Sequence, residues 1–169
     1  MWLELRVTNV YHVLGAKKNS YDPMQRTRSF TPATGDSKFL LQQLATHIED
    51  VCRKARYYNL APRRLMIYLR TKDFQSKVHI TPLEVPTASP SMLHQYLEKN
   101  FHHVYKKGIL YRSSGVTLLE LTPTLHMQGN LFARDEDAVS KFASIHAHID
   151  ALEEKHGSPL VYLASSHPA

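Results

Sequence analysis

The sequence predicts an α+β domain of the split βαβ type, in which a four-stranded antiparallel sheet carries two helices on one face. Four strand-like stretches and two stretches with apolar residues at helical spacing follow one another in the order β-α-β-β-α-β between residues 25 and 122. Pro, Gly, Asn or Asp residues separate these stretches, which is typical of boundaries between elements. The 169 residues, 43 % of them hydrophobic, suffice for one such domain with extensions but not for a second full domain.

The first strand is predicted from residue 25 to residue 31, where Thr, Ser and Phe favour extended backbone. Pro32 is expected to end it, because proline cannot donate a hydrogen bond to a neighbouring strand. Strict alternation places Arg26 and Arg28 on the same side as Phe30. Either a bulge therefore intervenes, or Phe30 lies beyond the strand.

A long amphipathic helix is predicted next, with capping residues at 34–37 and Asn59 as its C-cap. Its apolar stripe consists of Leu41, Leu44, Ile48, Val51, Cys52, Ala55 and Tyr58. Its other face is charged and is expected to be mostly solvated, with Asp36, Lys38, Glu49, Asp50, Arg53, Lys54 and Arg56. Cys52 lies on the stripe and is therefore predicted to be a buried small hydrophobe, not a nucleophile.

A β-hairpin is predicted from residues 62–72 and 76–81. In its first strand Leu65, Ile67 and Leu69 alternate with Met66, Tyr68, Arg70 and Lys72, so only one face is apolar. In its second strand Val78 and Ile80 lie opposite Lys77, His79 and Thr81. The sheet face without helices is therefore expected to be basic on these two strands.

A second helix and a fourth strand complete the domain. Ser89 is the expected N-cap and Pro90 is tolerated in the first turn. The apolar stripe of this helix consists of Leu93, Leu97, Phe101, Val104 and Tyr105. Residues 115–121 form the fourth strand, which Pro123 closes.

The predicted organisation has three parts, namely residues 1–24 as the end of a preceding domain with a linker, residues 25–122 as the sheet domain, and residues 123–169 as an extension. The extension contains a third predicted helix from residue 135 to residue 156. Its apolar side is expected to carry Val139, Phe142, Ile145, Ile149 and Leu152. No apolar stretch is long enough for a membrane span, and the single cysteine fits a reducing compartment, so a cytoplasmic protein without membrane contact is predicted.

Charge is distributed unevenly along the chain. Residues 1–112 contain 18 basic and 8 acidic side chains, whereas residues 113–169 contain 3 basic and 7 acidic ones. A basic body with an acidic extension suggests two surfaces for two partners, with the body facing a polyanion. Ordinary solubility charge is the alternative.

The sequence assigns no active site and no metal site. It lacks a phosphate-binding loop, a nucleophile elbow, a His-Glu-x-x-His motif and paired carboxylates on neighbouring strands that could hold Mg²⁺. Two pairs of histidines, at 102 and 103 and at 146 and 148, are expected to be surface residues and not metal ligands, because helix residues one or two apart point in different directions and cannot share an ion.

Contact with nucleic acid has better support. Five cationic residues fall on or next to strands, where alternation is expected to project them from a common surface: Arg26, Arg28, Arg70, Lys72 and Lys77. Thr27 and Ser29 add neutral hydrogen-bond donors for phosphate. The alternatives are an RRM-like RNA-binding module, which would stack bases on Tyr68 and Tyr111 but lacks the family's Gly-Phe-rich signature, and a protein-interaction domain.

A second signal is the segment Gln128-Gly129-Asn130-Leu131-Phe132, which places a Leu-Phe pair in a loop between folded pieces. Such a pair is expected to bury itself, either on its own domain or in the pocket of a partner. Spacing alone does not decide between the two.

These residues together resemble the C-terminal little-finger domain of Y-family translesion DNA polymerases of the DinB/UmuC type. The resemblance spans about residues 20–122 and is carried, in the family's order, by residues 25–31 (Gln-Arg-Thr-Arg-Ser-Phe-Thr), 52–56 (Cys-Arg-Lys-Ala-Arg), 65–74 (Leu-Met-Ile-Tyr-Leu-Arg-Thr-Lys-Asp-Phe) and 115–118 (Gly-Val-Thr-Leu). Residues 1–15 look like the end of the family's thumb domain. Residues 128–132 are similar to the bacterial sliding-clamp motif Gln-x-x-Leu-Phe.

The resemblance implies a sheet that lies along the major groove and holds primer-template duplex DNA by its backbone. Arg26, Thr27, Arg28 and Ser29 would contact template phosphates, and Arg70, Lys72 and Lys77 would extend the track. Gln128, Leu131 and Phe132 would bind the bacterial sliding clamp.

The family's palm, fingers and metal-binding carboxylates are missing from this chain. It is therefore expected to be non-catalytic and to hold no cofactor, since Mg²⁺ would bind the missing palm domain. The expected partners are duplex DNA, the sliding clamp and the remainder of the polymerase, and the chain is either a cut from a longer polymerase or a truncated gene product.

Overall fold

A computed structural model describes residues 23–124, 136–158, 160–162 and 164–166, with the side chains of its last helix described from residue 144 onward. The elements are β1 (Met24–Thr34), α1 (Ser37–Tyr57), β2 (Leu60–Thr71), β3 (Ser76–Pro82), α2 (Pro90–Val104), β4 (Tyr111–Pro123) and α3 (Glu136–His156). The four strands form one sheet in the order β1-β4-β2-β3, and every neighbouring pair is antiparallel. In the unit β1-α1-β2 the two strands are separated by β4, and in the unit β3-α2-β4 they are separated by β2. The predicted split βαβ fold is therefore confirmed.

The core lies between one face of the sheet and helices α1 and α2. The strands bury Met24, Leu65, Ile67, Leu69, Val116 and Leu118 on this face, and the helices add Leu40, Leu44, Ile48, Leu93 and Leu97. The apolar stripes predicted for both helices are therefore confirmed. Cys52 belongs to this core, and burial raises the pKa of its thiol to about 12, so the thiol is protonated and unreactive at neutral pH.

The helix boundaries follow from capping. The Asp36 carboxylate accepts a hydrogen bond from the backbone N–H of Lys38 and begins α1. At the other end Tyr58 is the C-cap, and Asn59 follows with a positive φ of 54°. Pro90 occupies the first turn of α2, and Ser89 is its N-cap without a side-chain capping bond.

Strand β1 is longer than predicted and continues past Pro32 to Thr34. Its pairing with β4 is regular up to Ser29 and shifts between Ser29 and Thr34. Phe30 packs edge-on against Phe39 of α1, with ring centroids 5.5 Å apart. Strict alternation therefore holds as far as Phe30, and the two arginines before it share its side of the sheet.

The predicted orientation of β3 is wrong. Pairing of β2 with β3 places Val78 opposite Tyr68, and partners across a ladder point to the same face. Val78 therefore lies on the face without helices and is 52 % exposed, whereas Lys77 is opposite the buried Leu69. The length of the turn sets the register of the hairpin, and a slip by one residue would move each side chain of β3 to the opposite face.

Helix α3 is found where it was predicted, but two residues of its predicted apolar side do not pack on the domain. Ile145 and Leu152 are each 45 % exposed, whereas His146 is buried. Ile149 is half-buried near Glu49 and Pro90, and the side chains of Val139 and Phe142 lie outside the described residues.

Two ion pairs join α3 to α1. Asp150 accepts two hydrogen bonds from Arg56, both 2.6 Å, and Glu153 lies 2.6 Å from Arg53 as an ion pair without an aligned hydrogen bond.

Several residues on the face of α1 predicted to be solvated are consequently covered. Glu49 is buried, and Arg53 and Arg56 are turned to acidic residues of α3. The acidic extension thus pairs, within the described residues, with cations of the basic body. The proposed separate partner for the acidic part is not needed to explain these charges.

Replacing Asp150 by asparagine is expected to loosen α3 without unfolding the sheet domain. The substitution removes the charged acceptor of a bidentate pair in which the Arg56 side chain is 18 % exposed, and this costs about 1–3 kcal/mol of local stability. Amide hydrogen exchange of α3 should accelerate by about 5- to 150-fold, while the slowest amides of β2 and β4 stay unchanged. Glu154→Gln, at an exposed carboxylate of the same helix, is the matched control and should change neither. Equal acceleration in both variants would contradict the attachment of α3 to α1 through Asp150 and Arg56.

Candidate nucleic-acid interface

The sheet face without helices carries a shallow groove of about 380 Å³ that is lined mainly by hydroxyl groups. The lining residues come from all four strands and are Thr27, Ser29, Tyr68, Arg70, Ser76, Val78 and Ser113. We call these residues the open-face groove. Their common orientation follows from the ladder, because Ser29, Ser113, Arg70 and Ser76 are successive cross-strand partners.

Gly115 allows the Tyr68 ring to lie against β4 in this groove. A Cβ atom at position 115 would lie 2.4 Å from Cε1 of Tyr68, so any other residue would force the ring to move. Gln25 donates a long hydrogen bond of 3.4 Å from its side-chain amide to the Tyr68 hydroxyl. The ring is half-buried and leaves its outer side accessible within the groove.

Arg26 and Arg28 do not lie in this groove. They belong to the helix side of β1, where Arg26 forms an ion pair with Asp50 of α1 at 3.0 Å and its side chain is 61 % exposed. Because β1 is at the edge of the sheet, its arginines extend beside α1 while Thr27 and Ser29 face the groove. The prediction that all five cations share one surface is therefore wrong, because β1 presents its two arginines on the helix side and Thr27 and Ser29 on the groove side.

The other predicted cations are also separated. Arg70 lines the groove, and Lys72 is exposed in the turn between β2 and β3, where its backbone N–H donates to the Leu110 carbonyl at 2.9 Å. Lys77 is exposed on the helix side of the other edge strand. Arg70 is thus the predicted cation that lies within the open-face groove, and the remaining four surround the sheet.

One cation at the groove's end was not predicted. Arg112 is an extra residue in β4, because Arg70 pairs with Ser113 and the next partners are Thr71 and Tyr111. Its guanidinium lies 4.5 Å from the ring centroid of Phe74 at the hairpin turn. Such a bulge redirects a side chain and leaves no periodic signal in the sequence.

A buried histidine lies beneath the arginines of β1. His47 of α1 is 2 % exposed, and its Nε2 is 3.1 Å from the Ser114 hydroxyl. Its pKa is lowered from 6.5 to about 4, chiefly by desolvation on burial; the Asp50 charge opposes this change, and the Arg26 and Arg28 charges contribute to it. His47 is therefore neutral at physiological pH and adds no charge below the two arginines.

Of the four histidines expected at the surface, His102, His103 and His148 are exposed and His146 is not. His103 stacks on His79 of β3 with ring centroids 4.2 Å apart and lies 3.9 Å from the neighbouring ring of His102, although these two residues are adjacent in α2. His146 is buried near Ser89, whereas His148 is exposed. Over the residues that the structure describes, no group of three metal-binding side chains is suited to hold an ion.

The predicted clamp-binding residues Gln128, Leu131 and Phe132 lie outside the described residues, as does the predicted thumb segment. They remain predictions from the sequence. In the described ranges, no helix is long and apolar enough to cross a membrane.

The sequence profile of the impB/mucB/samB family C-terminal domain matches residues 23–131, which is more than half of the chain. The chain belongs to this family. The predicted relation to the little-finger domain of Y-family DNA polymerases is thereby confirmed, and the chain carries the C-terminal domain of that polymerase family. No match was found among curated proteins.

Solved structures agree with the little-finger fold. A Y-family polymerase chimera of Dbh and Dpo4 is 18 % identical over 72 % of this chain and 35 % of its own, with a TM-score of 0.50. A Dbh ternary complex is 20 % identical over 60 % of this chain and 29 % of its own, with a TM-score of 0.51. At these identities the likeness concerns the fold alone, and the chain spans about a third of the length of those polymerases.

A further match is to a complex of the beta-clamp processivity factor and the little finger domain of PolIV. It is 17 % identical over 66 % of this chain and 99 % of the other, with a TM-score of 0.45. This likeness is too weak to support a conclusion about what the present chain binds.

Proposed function

We propose that this little-finger domain holds primer-template duplex DNA by its phosphates and that the segment from Gln128 to Phe132 recruits a sliding clamp. The domain itself catalyses no step. In a longer lesion-bypass polymerase of the cytoplasm, catalysis with Mg²⁺ would belong to the palm, while this domain supplies grip and tethering. Tethering acts by raising the local concentration of the polymerase on DNA.

The observation that carries the DNA proposal is the composition of the open-face groove. Three hydroxyl groups, of Thr27, Ser29 and Ser113, line the same groove as Arg70 on a sheet face that no described helix covers. Hydroxyls and guanidinium groups are the usual partners of phosphate oxygens. The groove offers no set of base-reading amides, which favours recognition of the backbone over recognition of sequence.

The surrounding cations would extend this contact. Arg26 and Arg28 on the helix side of β1 and Lys72 at the hairpin turn are exposed, so DNA on the open-face groove would meet further cations beside the β1 edge and at the end of the sheet. Lys77 would contact the duplex only if it reached around the β3 edge. Each phosphate contact releases counterions, and binding should therefore weaken steeply as salt rises.

Fluorescence anisotropy with labelled primer-template duplex, single-stranded DNA and RNA hairpins tests this function. We expect preference for the duplex, independence from its sequence, and loss of binding as the salt concentration rises. Preference for single-stranded RNA would instead favour an RRM-like module that stacks a base on Tyr68. Absence of binding at low salt would leave the protein-interaction alternative.

Replacing Arg28 and Lys72 together by glutamine should weaken duplex binding about tenfold and reduce the salt slope by about 2. Both side chains are exposed, so the unfolding midpoint should not change. Lys99→Gln with Lys155→Gln is the matched control, since it removes two exposed charges from the helices. Equal weakening by the two double variants would mean that net charge, and not this surface, attracts the DNA.

A further inference from the structure

Phe74 at the β2–β3 turn occupies a conformation that its own packing does not explain. Its backbone is left-handed, with φ of 64°, and its side chain is 58 % exposed. A bulky residue rarely adopts this backbone conformation, and an exposed ring gains little from burial in return. Such a combination indicates that the ring serves contacts at the surface.

Two guanidinium groups contact this ring. The Cζ atom of Arg70 lies 5.1 Å from the ring centroid, and that of Arg112 lies 4.5 Å from it. Arg70 Nε also donates to the Phe74 carbonyl oxygen at 3.3 Å. Both distances lie within the range of cation–π attraction, so the Phe74 ring keeps two mutually repelling charges at one place.

The cationic pair has no carboxylate partner among the described residues. It lies where the open-face groove ends, because Arg70 lines that groove beside Ser29 and Ser113. Two guanidinium groups on one ring, with N–H donors left over, suit the phosphodiester backbone, whose oxygens accept hydrogen bonds from such groups. Stacking on a ring also reduces the side-chain freedom that each arginine would lose on binding.

We propose that Phe74 is a positioning residue that preorganises Arg70 and Arg112 as one phosphate-binding pair, and that Arg112 belongs to the DNA-contacting surface. This proposal rests on the proposed function. It adds Arg112, which the sequence did not indicate, to the DNA-contacting surface. It also assigns the exposed Phe74 a role that is exerted through Arg70 and Arg112.

The test compares duplex binding by the full chain and its Phe74→Leu, Phe74→Tyr and Arg112→Gln variants at several salt concentrations. We expect Phe74→Leu to weaken binding about 3- to 10-fold and to reduce the salt slope by about 1, whereas Phe74→Tyr keeps the ring and binds like the parent. Adding Phe74→Leu to Arg112→Gln should weaken binding less than the two single effects predict together, because both act on the same pair. Thermal unfolding checks that the exposed substitutions leave the fold intact.

A second measurement is independent of DNA. In the free protein, NMR should find side-chain protons of Arg70 and Arg112 shifted upfield by the ring current of Phe74, with the shift lost in Phe74→Leu and kept in Phe74→Tyr. If the parent binds duplex and Phe74→Leu binds with the same affinity and salt slope, the positioning role is refuted and the proposed function stands. If the parent does not bind duplex at low salt, both are refuted.

Discussion

Replacing Leu131 and Phe132 together by alanine is expected to abolish binding to a sliding clamp and to leave duplex binding unchanged. Two large apolar side chains that fill a partner's pocket contribute most of the energy of a short peptide, and truncating each costs about 2 kcal/mol or more. The double variant should therefore bind on the order of 1,000-fold more weakly. Surface plasmon resonance on immobilised bacterial clamp measures the first effect, and anisotropy with labelled duplex measures the second.

Leu125→Ala with Met127→Ala is the matched control for this variant. It removes two apolar side chains immediately before the Gln-x-x-Leu-Phe segment and should leave clamp binding unchanged. Equal loss of clamp and DNA binding in the Leu131 and Phe132 variant would mean that the segment packs on its own domain. Gln128→Ala should have a smaller effect, since it removes one hydrogen-bonding group and no apolar anchor.

The fold could be predicted because its main signals are local. The stripes of α1 and α2 repeat over four to five turns, and nearly every apolar residue predicted on them is buried or packs on the core. Alternation in β2 likewise identified Leu65, Ile67 and Leu69 as core residues. These patterns depend only on the geometry of a single helix or strand.

The candidate site was less predictable because it depends on relations between strands. Alternation groups Arg26 with Arg28, but it does not tell which face of an edge strand the helices cover. Burial of Met24 at 2 % exposure settles that these arginines share the helix side. The orientation of Val78 and the position of Arg112 depend on a turn register and a bulge, and neither leaves a periodic pattern.

The predicted packing of α3 through its apolar residues was wrong for an energetic reason. Its apolar residues predicted a conventional buried stripe, yet Asp150 and Glu153 lie opposite Arg53 and Arg56 on the already formed α1. A partly buried arginine without an acceptor destabilises the folded state. The free energy gained by pairing Arg53 and Arg56 therefore outweighs the free energy that burial of Ile145 and Leu152 would add. The exposed charges of α1 were the signal, but only the tertiary arrangement shows what meets them.

Acidification from pH 6.5 to pH 4 is expected to destabilise the domain through His47. Its folded pKa of about 4 is below the unfolded value of 6.5, so in this window the unfolded chain binds a proton that the folded domain excludes. The free energy of unfolding therefore falls as pH decreases, by about 3 kcal/mol from this residue once the pH is below 4. Above pH 6.5 both states are neutral at His47, and its contribution no longer changes with pH.

Urea unfolding between pH 4 and pH 7 of the parent and of His47→Gln measures this contribution. Glutamine can still hydrogen-bond the Ser114 hydroxyl but cannot titrate, so the variant should lose markedly less stability on acidification. The comparison is needed because burial also lowers the pKa of His146, which adds to the acid sensitivity of the parent. His148→Gln, at an exposed position of α3, is the control and should retain the parent's pH dependence. If His47→Gln retained it as well, carboxylates elsewhere would account for the acid sensitivity, and the ring beneath Arg26 and Arg28 would not be its source.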